Sequence, residues 1–365
     1  MAETDDPMTK PDAPEAQKGA GEGAIQDELS PSSSAASPQP RPIDAVVLAG
    51  THQNPKRLVD GRNKAFLEID GRPLVRHVVD ALDAAAGIDR IYVVGPETEL
   101  AAVLDGSPGA RCVPQQGKML DNAWAAIRAA EAGHEGLPEA VVHERPILLV
   151  SCDLPLVSGE GIDDFIARAA RLETEPGTPP AMVVGVCDED GLSPFYGDDA
   201  HPGIHRPLVQ LAEGRMRLAN IYVVRPRHLA HSEFLQTSFS YRKAKDWRNV
   251  MKLVFSLFRQ HGGWQAAWLT CRLQLAAMLA GGEGKTYRRV RAGNTLDRVE
   301  AAVSAVLGGP IRVAVTPFGG LSLDVDDEED FRVLSARYEE WMAITRATGT
   351  APARTQSAPP PAAGT

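Results

Sequence analysis

Short apolar runs rich in β-branched side chains recur along the chain, and most of them empty into polar loops that contain Gly. The first is Ile43, Ala45, Val46, Val47 and Leu48, the pattern of a parallel strand buried on both faces. Ala49 and Gly50 close it with small residues, where backbone can approach a ligand closely. A polar loop carrying Arg57, Arg62 and Lys64 follows, with no apolar period of its own. A second short strand comes next. Gly71 and Pro73 then punctuate the entry to a helix over residues 73–86, with Pro73 at its first position. Further apolar runs predict strands over 90–95, 110–113, 147–150, 181–186 and 310–315. Helices are expected over 97–104, 123–130 and 159–171, with Ser158 placed to cap the last of these. These runs and helices fit an α/β fold.

Two of these strands lead into groups that can do chemistry. The loop from Gly50 to Lys64 is cationic, and the C-terminal end of a strand feeding such a loop is where open α/β sheets put phosphates. The run over 147–150 leads through Ser151 and Cys152 into Asp153, followed by Leu154-Pro155-Leu156. A lone carboxylate there is poorly solvated unless it meets a cation, and Mg2+ takes oxygen ligands. The plainer reading of Asp153, a cap for the next helix, is weakened by Ser158, which is better placed for that role. Near the end, Asp324 and Asp326 precede an acidic run, Asp327-Glu328-Glu329, of the kind that favours a helix N-terminus.

Lys64-Ala65-Phe66-Leu67-Glu68-Ile69-Asp70-Gly71-Arg72-Pro73-Leu74, read after Leu48-Ala49-Gly50, resembles the N-terminal signature of the MobA-like NTP transferases. In that family the pattern is L-A-G-G, a polar loop with an Arg, then K-x-L-x-x-x-G-x-P-L. Thr51 stands where the family has its second Gly, and the loop before Lys64 is a few residues longer. Ile147 to Leu156 is similar to the family's strand ending in G-D-x-P-L, whose Asp holds a metal. Leu321 to Phe331 is similar to D-I-D-T-P-E-D-L, which ends the last strand and opens the last helix.

The resemblance implies a three-layer α/β, Rossmann-like nucleotidyltransferase fold with a mostly parallel central sheet and a helical insertion, taking an NTP and a small-molecule acceptor. Leu48, Ala49, Gly50, Thr51 and Lys64 would surround the triphosphate, and Lys64 with Arg57 or Arg62 would offset its charge. Gln115, Gln116 and Gly117, in the polar turn before the 123–130 helix, would meet the base. Mg2+ would be held by Asp153 together with Asp324 or Asp326. Residues 215–224 are similar to the segment where relatives place an Asn at a strand start beside the acceptor, which here is Asn220, and Arg215 and Arg217 would meet an acceptor phosphate or solvent.

A formal net charge of −10 over 365 residues argues against a broad nucleic-acid surface. Four cysteines (Cys112, Cys152, Cys187, Cys271) have no metal spacing and read as small buried residues in a reducing compartment. No apolar run follows a basic start, so no signal peptide is read and a cytoplasmic setting is expected. Residues 1–41 and 348–365 are too poor in large apolar side chains to order themselves, which leaves 42–347 as the folded domain.

The 232–282 stretch is the part the resemblance does not cover. Val250, Leu253, Val254, Leu257 and Phe258 fall at helical spacing, and residues 264–280 are almost wholly apolar, broken by Arg272 and Gln274. At that length, with an internal Arg, the run is marginal for a membrane span. A basic cluster, Arg242, Lys243, Lys245 and Arg248, precedes it. Two readings stand: a helical insertion packed on the core, or an acceptor pocket, lid or surface that touches membrane lipid.

The expected activity is Mg2+-dependent transfer of an NMP group to an acceptor that carries phosphate. Two alternatives differ in class. A glycosyltransferase of related topology would place D-x-D after a mid-chain strand, where this chain has Ser151-Cys152-Asp153, while Asp324-Val325-Asp326 has those letters near the other end. A nucleotide-binding regulator without catalysis is suggested by Thr51 and the longer loop.

Overall fold

A computed structural model of the chain describes residues 41–50, 59, 61–107, 109–231, 263–282 and 284–350. Thr51, Arg57, the two terminal tails through residue 40 and from residue 351, and the 232–262 part of the expected insertion lie outside the described residues.

In chain order the strands are β1 (Ile43–Leu48), β2 (Glu68–Ile69), β3 (Arg72–Pro73), β4 (Ile88–Gly95), β5 (Ala110–Pro114), β6 (Ile147–Ser151), β7 (Met182–Asp188), β8 (Val209–Gln210), β9 (Arg215–Val224) and β10 (Ile311–Thr316). The helices are α1 (Leu74–Ala84), α2 (Glu97–Val103), α3 (Met119–Ala132), α4 (Glu139–His143), α5 (Gly159–Glu173), α6 (Glu189–Leu192), α7 (Gly263–Leu279), α8 (Lys285–Ala292), α9 (Leu296–Leu307) and α10 (Glu328–Thr350). The main sheet runs β10-β7-β9-β6-β1-β4-β5, with β8 added to β9. β9 is antiparallel to both β6 and β7, and the other neighbours on that path are parallel. The expected α/β architecture with a mostly parallel sheet is therefore what the chain adopts.

β1 is central because its side chains are apolar on both faces. Ala45 and Val47 pack with Val75, Val78 and Leu82 of α1 and with Ile162 and Phe165 of α5. Val46 packs on the other face with Ala126, Ile127 and Ala130 of α3. A further cluster gathers Phe195, Leu323, Val325, Leu334 and Trp341, so α10 is tied to the chain just before it. Trp341 is fully buried, edge-on to Phe195 at 5.5 Å between ring centroids. Register puts Leu48 level with Val94 of β4 and Ser151 of β6, so the loops after β1 and β6 leave the same edge of the sheet side by side.

Several local expectations are corrected. Pro73 is not helical: it pairs with Glu68 in a small hairpin, and α1 starts at Leu74. The hairpin turn uses Asp70 at φ 53° and Gly71 at φ 68°, the left-handed pair that a two-residue turn matched to strand twist requires. The Asp324 segment does not end a strand, because β10 stops at Thr316 and a 3-10 turn over Gly319–Ser322 intervenes. α10 continues to Thr350, past the expected domain end at 347. Not every cysteine is buried: Cys152 and Cys187 are, Cys112 is half-buried and Cys271 is exposed.

His77 on α1 is buried, with Nε2 at 2.9 Å from the Ile69 carbonyl and Nδ1 at 3.0 Å from the Tyr338 hydroxyl. Burial holds its pKa below the ordinary 6.5. The unfolded chain therefore binds a proton that the folded chain resists. His77 costs nothing in stability above that ordinary value and lowers stability as pH falls below it. Urea unfolding of His77→Asn should show a shallower loss of stability below about pH 6.5 than the native chain does. An equally steep loss would contradict this account of His77.

Candidate active site

Lys64 opens a 3-10 turn over Lys64–Phe66, and Asn63 caps it, its Oδ1 accepting from Ala65 N at 3.1 Å. Asn63 Nδ2 also donates to the Ala49 carbonyl at 3.0 Å. One asparagine thus pins the far end of the cationic loop back to the end of β1. The Lys64 side chain then runs inward until the residue is only 9 % exposed.

A buried ammonium must meet negative charge or lose its proton. Lys64 Nζ lies 3.8 Å from Asp153 Oδ2 and 3.8 Å from Asp326 Oδ1, and it donates to the Val325 carbonyl. Asp153 sits just past β6, where the Ser151 hydroxyl donates to its Oδ1. The Asp153 carbonyl accepts from Val325 N at 3.1 Å. The two carboxylate-bearing segments are therefore joined through backbone as well as through Lys64.

Asp324 and Asp326 lie on an irregular stretch and turn their carboxylates to different partners. The Asp324 carboxylate faces Arg217 Nη2 at 3.4 Å, and Arg217 Nε donates to Ser322 O at 3.1 Å. Asp326 is the one turned toward Lys64 and Asp153. Arg206 clamps the stretch from the other side: its Nη2 donates to Asp324 O at 2.6 Å and to Asp330 Oδ2 at 2.7 Å, and Nη1 lies 3.5 Å from Asp326 Oδ2. Asp330 Oδ2 also accepts from Asp326 N at 2.9 Å. Burial works against the Arg206 charge, but Asp330, Asp324 and Asp326 together outweigh it and hold its pKa above the ordinary arginine value. Burial, reinforced by the Asp153 charge, pushes the Cys152 thiol up, so it stays protonated beside the carboxylate.

The donor set suits a magnesium ion. Two carboxylates from separate segments converge on one point at the sheet edge, and Mg2+ commonly takes one or two carboxylates and fills its remaining positions with phosphate oxygens and water. Among the described residues no group of three His, Cys, Asp or Glu could hold a metal by itself. Asp153 and Asp326 would be the holders, with Asp324 engaged by Arg217.

On the other side of Gly50 is the turn after β5. Gln115 N donates to Gly95 O at 3.0 Å, and Gln115, Gln116 and Gly117 are exposed. Gly117 has φ 126°, a conformation side chains resist. Asn122, buried in the first turn of α3, accepts from Gln116 N at 2.6 Å and Gly117 N at 3.1 Å. A Cβ on Gly50 would fall 2.5 Å from Asn122 Nδ2, so only glycine lets the β1 loop and this turn close on each other. Leu48 is half-buried and Ala49 buried beneath them.

The remaining candidates are more dispersed. Arg62 is exposed, and its Nη2 donates to Phe66 O at 3.0 Å rather than joining Lys64. Arg215 pairs with Glu189 at 2.5 Å. Asn220 is buried in the middle of β9, not at a strand start, beside a register shift between Val184 and Val186 of β7. Asn63, Asn122, Ser151, Arg206 and Asp330 were not singled out from the sequence. Asn63 and Asn122 had a signal, an Asn next to a glycine-rich or cationic loop and a turn. Arg206 had none, since it lies in a polar Gly, Pro and His stretch without period.

The chain therefore has a Rossmann-like α/β fold in which Lys64, Asp153 and Asp326 gather beyond the ends of β1 and β6. The family model for the MobA-like NTP transferase domain matches residues 45–233, just over half of the chain, and the chain belongs to that family. The match contains Lys64 and Asp153 and stops short of Asp324 and Asp326. The 2-C-methyl-D-erythritol 4-phosphate cytidylyltransferase of Chlorobium luteolum is 29% identical over 42% of this chain and 62% of its own length. The bifunctional protein GlmU of Sorangium cellulosum is 34% identical over 44% of this chain and 33% of its own. The chain thus spans less than two thirds of the length of these curated relatives. A hypothetical transferase from Thermus thermophilus shares the fold, with TM-score 0.52 and 24% identity over 80% of this chain and 99% of that one.

Arg206→Gln would leave three carboxylates around a neutral, mostly buried amide. Removing one partner of a buried ionic group costs about 3 kcal/mol. Urea unfolding should show a loss of that order, and a change under about 0.5 kcal/mol would mean the clamp is dispensable.

Proposed function

We propose that this chain transfers an NMP group from an NTP to an acceptor that carries a phosphate, with release of pyrophosphate. The observation that carries the reading is the placement of Asp153 and Asp326 about a single buried Lys64, each 3.8 Å from its ammonium. Family membership supports the reaction class. The Chlorobium relative is named for a cytidylyl transfer involving 2-C-methyl-D-erythritol 4-phosphate, which is an acceptor of the proposed kind.

An acceptor phosphate oxygen attacks the α-phosphorus in line. The new O–P bond forms as the bond from the α-phosphorus to the bridging oxygen breaks, and the electron pair leaves with pyrophosphate. A phosphate acceptor is already ionised at neutral pH, so no general base is required. The residues work by position and charge. Lys64 offers its ammonium to charge growing on the leaving phosphates. Asp153 and Asp326, fixed by Ser151, Val325 and Arg206, would hold Mg2+. When bound, that ion would neutralise triphosphate charge and orient it. Gly50 leaves room for backbone to approach the phosphates, and the Gln115-Gln116-Gly117 turn supplies amides and backbone for the base. Arg217, already at Asp324, and Arg215 lie on the β9 side, where Asn220 is also placed, and are assigned to the acceptor. The cytoplasm is the proposed setting, in keeping with four cysteines that stand as free thiols.

Pyrophosphate release should be assayed with each of the common NTPs against a panel of sugar and polyol phosphates, with sugar nucleotides in parallel. Asp153→Ala should cut turnover by at least about a hundredfold, the scale of losing one preorganised electrostatic contribution to the transition state. Undiminished release by that variant overturns the assignment of Asp153. Consumption of sugar nucleotides alone would make the protein a glycosyltransferase. Tight NTP binding without release across the panel would make it a nucleotide-binding regulator.

A further inference from the structure

α7 is apolar almost all round, yet only one side of it is covered by described residues. Ala266, Leu269, Leu273 and Ala276 face inward. Ala266 and Leu269 pack with Ala302 and Val306 of α9, and Leu273 reaches Leu211 and Met216 beside β8 and β9. The opposite side carries Trp264, Trp268, Cys271, Leu275 and Met278, the i, i+4, i+7, i+11, i+14 spacing of a single helix face. Trp264 is 60% exposed, Trp268 62%, Leu275 45% and Met278 83%. Four large apolar side chains in a row on one helix face are not the scattered surface hydrophobes of an ordinary soluble domain.

α8 lies against α7 and has the same inner and outer sides. Tyr287 Oη donates to Gln210 Oε1 at 2.7 Å, and Arg291 Nε donates to Leu211 O at 2.6 Å, so these two face the β8 layer. Arg272 of α7 fixes the pair by donating to Val290 O at 3.2 Å and to Asn294 Oδ1 at 3.2 Å. Lys285, Arg288 and Arg289 are exposed on the side of α8 away from Tyr287 and Arg291. None of the three makes an ion pair among the described residues. Between Gly263 and Ala292 there are five basic residues against Glu283 alone, in a chain whose net charge is −10.

We propose that the outer faces of α7 and α8 together form a docking surface for an anionic lipid bilayer, independent of the nucleotide chemistry. No helix among the described residues is long and apolar enough to cross a membrane, so the contact is one of lying on the surface. Trp264, Trp268, Leu275 and Met278 enter the interface between headgroups and acyl chains, where tryptophan is favoured. Lys285, Arg288 and Arg289 meet lipid phosphates beside them. The charge argues for lipid over a second copy of this chain. In a two-fold dimer the same patch faces itself, which sets these three cations against their own copies with no acid on either helix to answer them. An anionic bilayer supplies the missing negative charge.

The test is co-sedimentation of the full chain with vesicles of phosphatidylcholine mixed with an equal part of phosphatidylglycerol, against phosphatidylcholine alone. Binding to the mixed vesicles that weakens with salt is expected. The triple variant Lys285→Gln, Arg288→Gln, Arg289→Gln should bind about a hundredfold more weakly, since each cation near such a surface contributes severalfold. Its three side chains are exposed, so its fold should survive, which a melting curve checks. Trp264→Ser with Trp268→Ser should abolish binding. A folded native chain that ignores the mixed vesicles overturns the proposal, whether this face turns out to be covered by residues 232–262 or by a second copy. A native chain that sediments equally well with phosphatidylcholine alone overturns the part assigned to the basic helix. So does vesicle binding that survives both variants and is lost only when Arg242, Lys243, Lys245 and Arg248 are replaced.

Discussion

Lys64 is buried, and the rest of the site follows from what a buried cation requires. A buried cation needs counter-charge at close range from groups that are themselves held in place. Asp153 arrives at the end of β6 and Asp326 from the stretch before α10, far apart in sequence. Neither carboxylate is a stable neighbour of the other without a cation between them. Lys64 therefore joins two ends of the chain, and the Asp153 carbonyl and Val325 amide close the junction through backbone. Under the proposed function, a triphosphate with its divalent ion would bring both signs of charge to the same place, where the folded chain already holds both.

The sheet explains why this junction forms at one edge. β1 is flanked in parallel by β4 and β6, so the chain leaves all three at the same end. The loops after β1, β5 and β6 are neighbours by register, and no long side chain has to reach across the molecule. Two asparagines then fix the loops by hydrogen bonds to backbone: Asn63 to Ala49, and Asn122 to Gln116 and Gly117. Arg206 does the corresponding work for the Asp324 to Asp326 stretch. These three residues hold the loops at this end of the sheet through side-chain hydrogen bonds to backbone.

How much of this was legible in the chain depended on how local the signal was. Ile43 to Leu48 and Ile147 to Val150 announce buried strands by composition alone, and Asp153 is conspicuous because it ends an apolar run. Lys64 is legible through its motif, but its burial between two carboxylates is a tertiary fact with no local trace. The choice between Asp324 and Asp326 could not be read, because an extended strand would turn both carboxylates to one side, whereas the irregular chain over 323–326 turns them to different partners, Asp324 to Arg217 and Asp326 to Lys64 and Arg206. Arg206 was invisible as well, since its three acidic partners lie more than a hundred positions downstream. The Asp70-Gly71 hairpin was missed although its letters are those of a tight turn, because Pro73 drew the reading toward a helix start. The 264–280 run was too short, with its internal Arg, for a clear membrane span, and core packing and a lipid-touching surface both stood as readings of it. Its spacing only becomes informative once α9 and β8 are seen to cover the opposite side.

The central claim is that Asp153, Lys64 and Asp326 form one site whose metal is completed by the phosphates of a nucleotide. Electron paramagnetic resonance of Mn2+, used in place of Mg2+, tests it most directly in the full chain. The account predicts little Mn2+ bound by the protein alone, tight uptake when an NTP is added beyond what the nucleotide binds by itself, and loss of that uptake in Asp326→Asn but not in Asp324→Asn. Nucleotide-dependent uptake that is indifferent to Asp326, or strong uptake without any nucleotide, would contradict it.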